Sequence, residues 1–349
     1  VRLSSVEVIP YALPFHEPYV TARGQLSRRE MVLLRLRDDE GLVGLGEAVP
    51  LSLRGGETLA TVVAELEALR EWTQHAAPPA TSDLAGFSAP ARCAAATALL
   101  DLHAQRGPSG EPGDSPPVAC NATLVAAAPQ AAAEDAAGWA EQGFSTFKLK
   151  LGGGDDVAQV RAVREAVGPA ARIRIDANAA WDLETAKRLL HELEPLGIEL
   201  AEQPVTTLEE MAELAAATSI PLAGDESVAS RADAERAATA GACRFTGVKL
   251  SKVGGPEEAL AIADVLPAYI SSALDGPVGI AAAAQVAETL RETDHPERLD
   301  LAHGLATQRL FAATIAAVEC ELRGGMLHLP PGPGLGVEID EAALEAHRL

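Results

Sequence analysis

Five short stretches of this chain close an apolar run on residues able to do acid–base or metal chemistry. They are Phe147-Lys148-Leu149-Lys150, Arg174-Ile175-Asp176-Ala177-Asn178, Ala201-Glu202-Gln203-Pro204, Gly224-Asp225-Glu226-Ser227 and Lys249-Leu250-Ser251-Lys252. Asp176, Glu202 and Asp225 offer oxygen alone, and carboxylates crowded together repel one another unless a divalent cation holds them. Oxygen donors without histidine or cysteine favour a hard ion, Mg2+ before Mn2+ or Ca2+. One acid at the end of a strand more often caps the next helix. Three at the same point of a repeat form a candidate metal set.

Lys150 and Lys252 stand at the two ends of that series. A lysine amine titrates near ~10.4 and is a poor base at neutral pH, but desolvation and a nearby cation lower the value. Lys148 lies on the same strand face as Lys150, since alternate residues share a face, and adds its charge to that field. A base on each side of a metal-bound carboxylate is what abstraction of an α-proton needs, with the metal stabilising the enediolate.

The elements that must position these groups follow from their spacing. From Lys150 the steps to Asp176, Glu202, Asp225 and Lys252 are 26, 26, 23 and 27 residues. A strand, a helix and two short loops take roughly 20 to 30 residues, so the beat is that of a βα unit. Candidate strands cover residues 118–124, 146–150, 172–176, 199–202, 221–224, 247–250, 269–273 and 299–302, with helical patterns between them. Eight such strands, and no GxGxxG after any of them, predict a (β/α)8-type, TIM-like barrel and not an open doubly wound sheet. Its strand ends would gather the five motifs around one mouth.

Residues 1–105 read differently, as strands followed by helices, an α+β segment. Candidate strands lie at 6–11, 31–37 and 42–47, with helices from Thr58 and over 89–105. Residues 14–29 are polar and contain Pro18 and Gly24. They read as a mobile loop over the site, with Arg23 as a candidate substrate contact. Residues 106–117, dense in Gly and Pro, predict a linker, and 118–309 the barrel. Residues 310–349 carry a helix near 311–318 and return to the first domain.

A formal charge of −22 (28 basic against 50 acidic residues) disfavours nucleic acid and anionic membrane as partners. A small-molecule carboxylate stays compatible, because a bound cation and lysines reverse the local potential. The charge leaves a homo-oligomer open. The four cysteines form no CxxC pair, which with the absence of a leader pattern or long apolar run predicts a cytoplasmic protein with no membrane segment.

Together, Lys148-x-Lys150, Asp176-x-Asn178, Glu202-Gln203-Pro204, Asp225-Glu226-Ser227 and Lys249-x-x-Lys252-x-Gly254-Gly255 resemble the enolase superfamily, muconate-lactonizing-enzyme subgroup. Gly46-Glu47-Ala48 and Gly332-Pro333-Gly334-Leu335-Gly336 extend the likeness over nearly the whole chain. The resemblance implies a capping domain, made from both termini, over a modified barrel. It implies Mg2+ on Asp176, Glu202 and Asp225, catalytic Lys150 and Lys252, and auxiliary Lys148 and Asn178. The stretch 270–281 is similar to the part of o-succinylbenzoate synthases that meets substrate, which makes Ser271, Ser272 and Asp275 candidate contacts. Asp275-Gly276-Pro277 departs from the Asp-Thr-Ser or Glu-Thr-Ser common there. Asp300, with Ala302 two residues on, departs from the Asp-x-Asp usual in dipeptide epimerases. The expectation is a Mg2+-dependent syn-dehydration in menaquinone biosynthesis, of the o-succinylbenzoate synthase type. The alternative is an N-acylamino acid racemase or dipeptide epimerase. A Schiff-base aldolase barrel and a non-catalytic metal-binding barrel account for fewer of these residues.

Overall fold

In the computed structural model, which describes residues 2–21, 24–51, 56–107, 116–125, 127–292 and 301–349, the chain opens with a three-stranded antiparallel sheet. Its order is β1 (Leu3–Thr21), β2 (Gly24–Asp38), β3 (Val43–Ala48). Of residues 14–29, expected as a loop, 14–21 and 24–29 are instead the far arms of β1 and β2. Pairing runs from Leu13↔Arg29 on to Tyr19↔Leu26, past an irregularity between Pro14 and Tyr19. Polar composition and Pro18 suit an exposed edge strand as well as a loop, since an edge tolerates a residue without an N–H. Arg23, Asp300 and most of the expected linker lie outside the described residues.

The apolar run at Met31–Leu34 is continuous because both faces of this sheet are buried. Val32, Leu34 and Leu36 pack with Val62 and Leu66 of α1 (Leu59–Ala68), whereas Met31 and Leu33 face the barrel's core. Helix α2 (Ala89–Ala104) is rich in alanine and lies directly on β3. A Cβ added at Gly46 would sit 1.9 Å from the carbonyl oxygen of Ala94, and one at Gly44 2.1 Å from that of Ala98. Cys93, on the same helix, joins the barrel's core. Asp101 closes its C-terminal end, accepting from Leu45 N–H (2.8 Å) and, from the far end of the chain, Leu335 N–H (2.7 Å).

The barrel begins with β4 (Val118–Ala119) and β5 (Ala122–Leu124), so the strand expected over 118–124 is broken in two. Then α3 (Pro129–Glu141), β6 (Thr146–Lys150), α4 (Asp156–Val167), β7 (Arg172–Asp176), α5 (Leu183–Leu193), β8 (Ile198–Glu202) and α6 (Leu208–Ala217) alternate. After them come β9 (Leu222–Gly224), α7 (Arg231–Ala240), β10 (Phe245–Val248), the short α8 (Leu250–Val253), α9 (Pro256–Ala263), β11 (Ala268–Ile270) and α10 (Pro277–Thr289). Side-chain oxygens of Asp155, Asp182, Thr207 and Ser230 accept backbone N–H groups and so set where α4, α5, α6 and α7 start. Strands β5 to β11 form one parallel sheet in sequence order. The eighth strand is reduced, among the described residues, to bridges of His303 with Cys120 and Gly304 with Ser271, which join the two edges of that sheet. The architecture is a modified (β/α)8-type barrel with an α+β cap.

The tail differs from expectation. Residues 311–318 form no helix: β12 (Ala316–Val318) pairs with β15 (Glu338–Ile339), so tertiary pairing overrides the helix propensity of the alanines. Between them β13 (Glu321–Arg323) and β14 (Met326–His328) make a hairpin on β4. Helix α11 (Glu341–His347) then reaches the cap, where Glu341 pairs with Arg35 at 2.6 Å.

Glu47, at the end of β3, locks cap to barrel. It accepts from the Tyr11 hydroxyl (2.7 Å) and from Gly276 N–H (2.6 Å) at the start of α10. Burial first, and then the charge of Asp275, push its carboxyl up to about 8, against those hydrogen bonds. The folded protein therefore holds a proton that the unfolded chain releases above about 4.5. Stability falls as pH rises between those two values, because the native state binds the extra proton. The urea midpoint of the parent should drop from pH 5 to pH 8 by more than that of Glu47→Gln, which has no proton to lose. Parallel midpoints in the two proteins would refute this.

Candidate active site

Side-chain alternation and strand register assemble the site. Lys150 pairs with Asp176, and Asp176 with Glu202, so the three stand abreast on β6, β7 and β8 at their C-terminal ends. Lys148, Lys150, Arg174 and Asp176 alternate onto the barrel's inner face. Glu199 is an extra residue in β8: Ile173 pairs with Ile198, but Arg174 pairs with Leu200. That bulge brings Leu200 and Glu202 onto the inner face as well. Asp225 follows Gly224 at the end of β9. Strand β10 ends at Val248, two residues before the expected end, and Lys252, expected just past that end, rides on the short helix α8.

Four lysines meet the three carboxylates. Lys148 Nζ bridges Glu202 Oε2 (2.6 Å) and Asp176 Oδ2 (2.8 Å), and Lys150 Nζ reaches the same Asp176 oxygen (2.5 Å) and Asn178 Oδ1 (2.8 Å). Lys252 Nζ donates to Asp225 Oδ1 (3.1 Å), to the Val228 carbonyl (3.2 Å) and to the Asp225 carbonyl, and Lys249 pairs with Asp225 Oδ2. Burial alone would raise Asp176, but Lys148 and Lys150 outweigh it and hold its carboxyl well below the usual range. Burial would lower Lys148, yet Asp176 and Glu202 override it and hold the ammonium charged. Glu202 goes the other way, raised by burial and then by the charge of Asp176. Lys148 is therefore a fixed cation inside the barrel. The Lys150 side chain is 22% exposed against 5% for Lys148, and so is the member of the pair a substrate meets.

The loops at these strand ends are strained. The non-glycine residues with positive φ are Asn178 (48°), Ala179 (59°), Gln203 (37°) and Leu274 (67°), which follow β7, β8 and β11. Such conformations cost about 1–3 kcal/mol each and persist only where surrounding contacts hold them. Gln203 shows how: its Oε1 accepts from Asp225 N–H (3.0 Å) and Ser227 N–H (3.1 Å), while its Nε2 donates to Val205 O (2.9 Å). Asn178 accepts from Lys150 and donates to Glu226 Oε1 (3.2 Å), tying β6, β7 and β9 together.

At the seventh strand end, Asp275 is buried and accepts from Ala273 N–H (2.6 Å), the Ser272 hydroxyl (2.8 Å) and the Ser251 hydroxyl (3.3 Å), so it shapes its own loop. Ser271 packs against Gly304, and Ser272 stays partly exposed. Arg29, absent from the sequence reading, links Pro50 O (2.9 Å) to Ala273 O (3.1 Å) and so connects the cap to that loop. A cleft of about 830 Å³ lies at the other end of the barrel, lined by Phe144, Gln308, Arg309, Glu319 and Arg323, and contains none of the carboxylates or lysines above.

Among the described residues, no three acid, histidine or cysteine side chains are already drawn into a metal cage. Lysine ammonium groups take the carboxylate oxygens instead. The donor set still fits a hard divalent ion: three oxygen-only ligands from adjacent strands, with Glu202 Oε1 buried and lacking any hydrogen-bond partner. Asp176, Glu202 and Asp225 are the residues that would hold it.

Residues 4–108 match the family described as mandelate racemase / muconate lactonizing enzyme, N-terminal domain, and residues 130–343 match the enolase C-terminal domain-like family. Relatives include an o-succinylbenzoate synthase of Thermobifida fusca, 38% identical over 65% of this chain and 70% of that protein. An N-succinylamino acid racemase of Amycolatopsis is 30% identical over 97% of this chain and 95% of its own length. Among solved structures, a dipeptide epimerase of Cytophaga hutchinsonii, complexed with Mg and the dipeptide D-Ala-L-Val, superposes with a TM-score of 0.88. It is 27% identical, over 99% of this chain and 98% of that one. No helix among the described residues is long and apolar enough to cross a membrane.

Proposed function

Because the chain belongs to the enolase superfamily, muconate-lactonizing-enzyme subgroup, and is thus an enzyme, we propose that it abstracts a proton α to a carboxylate in a syn-dehydration of the o-succinylbenzoate synthase type. One observation carries the chemistry: Lys150 and Lys252 come from opposite ends of the arc of carboxylates, and each stays partly exposed. Lys150, as the free amine, takes the α-proton at Nζ. It then gives that proton to the departing hydroxyl oxygen on the same face, so the C–O bond breaks, water leaves and no net proton is consumed. Lys252, as the ammonium ion, stabilises the charge that builds on the substrate's carboxylate. Mg2+, when bound, supplies the further positive charge that a carboxylate acquiring a second negative charge requires.

The choice of dehydration over epimerisation rests on the seventh strand end and on the synthase relative. Asp275 spends its carboxylate on its own loop and so offers no counter-ion to a substrate ammonium group, which speaks against a dipeptide epimerase. Ser272 is partly exposed there, with its hydroxyl proton given to Asp275. Against an N-acylamino acid racemase, whose substrate has no ammonium group, the synthase relative alone supports the choice. The pathway that goes with this reaction is menaquinone biosynthesis. The substrate is a small carboxylate in either reading.

The test is an absorbance assay with the cyclohexadiene substrate and Mg2+, following aromatisation of the ring. Rapid turnover that EDTA abolishes and added Mg2+ restores is the expected result. Silence from folded, metal-loaded protein would overturn the synthase reading. Deuterium uptake from D2O into N-acylamino acids or dipeptides would then identify a racemase or epimerase.

A further inference from the structure

The interior of the barrel holds a tyrosine that the proposed chemistry does not use. Tyr269 on β11 is fully buried in a small cluster with Leu200, Ala223, Phe245 and Leu301. Its neighbour across the sheet is Gly247 on β10. A Cβ there would stand 3.0 Å from the Tyr269 oxygen and 3.1 Å from the ring, so the glycine leaves the space through which the side chain lies back across β10. The hydroxyl thereby reaches Glu202, three strands away in the sheet, and donates to Oε2.

The ring is held from its face as well. The Arg174 guanidinium carbon lies 4.9 Å from the ring centroid, a cation–π distance. That guanidinium is itself fixed by Glu199 (2.5 Å) and the Ala302 carbonyl (2.6 Å). A phenol with one side packed, a cation on its ring and a vacated neighbour position has little freedom to point its hydroxyl anywhere else. The consequence falls on the two oxygens of Glu202. Oε2 receives both the Tyr269 hydroxyl and Lys148, while Oε1 is buried without a partner.

We infer that Tyr269 is a positioning residue for Glu202: its hydroxyl saturates Oε2 and so presents Oε1 as the one oxygen free to bind a divalent cation. The inference rests on the proposed use of Asp176, Glu202 and Asp225 as metal ligands. A hydrogen bond to the non-coordinating oxygen of a ligand fixes its orientation before the ion arrives, and loss of such a partner weakens metal binding by about 10- to 100-fold. The phenol contributes no ligand atom.

The test is titration of metal-free protein with Mn2+, read by electron paramagnetic resonance as the loss of free ion, for the parent and Tyr269→Phe. Phenylalanine keeps the ring, its packing and the Arg174 contact while deleting the hydroxyl. The expected result is a dissociation constant about 10- to 100-fold larger in the variant, with superimposable melting curves for the two metal-free proteins. Equal affinities would overturn the role of Tyr269 and leave the ligand set standing. No binding by the parent would overturn the ligand set itself. If Tyr269→Phe fails to fold, the otherwise native chain carrying 3-fluorotyrosine at its three tyrosines answers the same question. Its fluorine spectrum, assigned with Tyr11→Phe and Tyr19→Phe, should show the Tyr269 signal move on addition of Mg2+. A stationary Tyr269 signal in a protein that binds the ion would refute the inference.

Discussion

Replacing Lys150 with alanine slows turnover by about 10²- to 10⁴-fold, the usual worth of a positioned proton-transfer group, while the protein still binds Mg2+. The argument comes from the division of labour between two lysines on one strand. Lys148 bridges Asp176 and Glu202, is 5% exposed, and neutralises the site whether or not Lys150 is present. Lys150 is 22% exposed and shares only one carboxylate oxygen of Asp176. Its removal deletes the proposed base on one face and leaves all three carboxylates and the other three lysines in place. Steady-state kinetics at saturating Mg2+ and calorimetric titration of the ion separate the two effects. Full turnover in the variant would end the assignment of Lys150 as the base. Loss of metal binding, without which the kinetics say nothing about the base, would make Lys150 a structural partner of Asp176.

Gly46→Ala lowers folding stability by about 3 kcal/mol, the upper end of the range for overpacking a core. The added Cβ would stand 1.9 Å from the carbonyl oxygen of Ala94, and that atom is backbone, held inside a helix. No rotamer relieves the contact. Either α2 lifts from β3 or the sheet bends, and both open the alanine-rich seam between them. Gly86→Ala is the control, since nothing lies within 4 Å of the Cβ it would gain. Urea unfolding of the three proteins should show a large fall in midpoint for Gly46→Ala and little change for Gly86→Ala. Equal midpoints in the two variants would mean that the seam yields without cost.

The barrel and its chemical residues were legible because their signals are local. Apolar runs ending in Lys, Asp or Glu at intervals of 26, 26, 23 and 27 residues already imply repeated strand ends, and strand alternation then faces Lys148 and Lys150 the same way. The arms at residues 14–21 and 24–29 were not legible, because a polar edge strand and a polar loop have the same composition; only pairing distinguishes them. The expected helix near 311–318 failed for a related reason. Its alanines favour a helix, but Glu338–Ile339, twenty residues later, offers a partner strand. The strand before Lys252 was expected to run to residue 250 but stops at Val248, since a strand end and the first turn of a short helix look alike over four residues. Tyr269 and Arg29 had no signal of their own, and Glu47 was marked only by the likeness of Gly46-Glu47-Ala48 and not for its contacts. Each acts through a partner 67, 21 to 244, or 36 to 229 positions away, and nothing in a single chain's spacing announces such pairs.

The cap is completed by residues that follow the barrel in sequence, and this has a consequence for how the protein is made. Asp101 waits for Leu335, and Tyr11 on β1 forms a bridge with Arg348, next to the final residue. During synthesis the N-terminal sheet emerges first, with Met31, Leu33 and the other side chains of its barrel-facing side uncovered. They stay uncovered while some two hundred residues of barrel follow, at about 5–20 residues per second. Contacts this distant in sequence are also slow to form, because loop closure comes before any gain from the contact. The strands of the cap are thus made before the barrel yet buried after it, and they are exposed to aggregation while they wait.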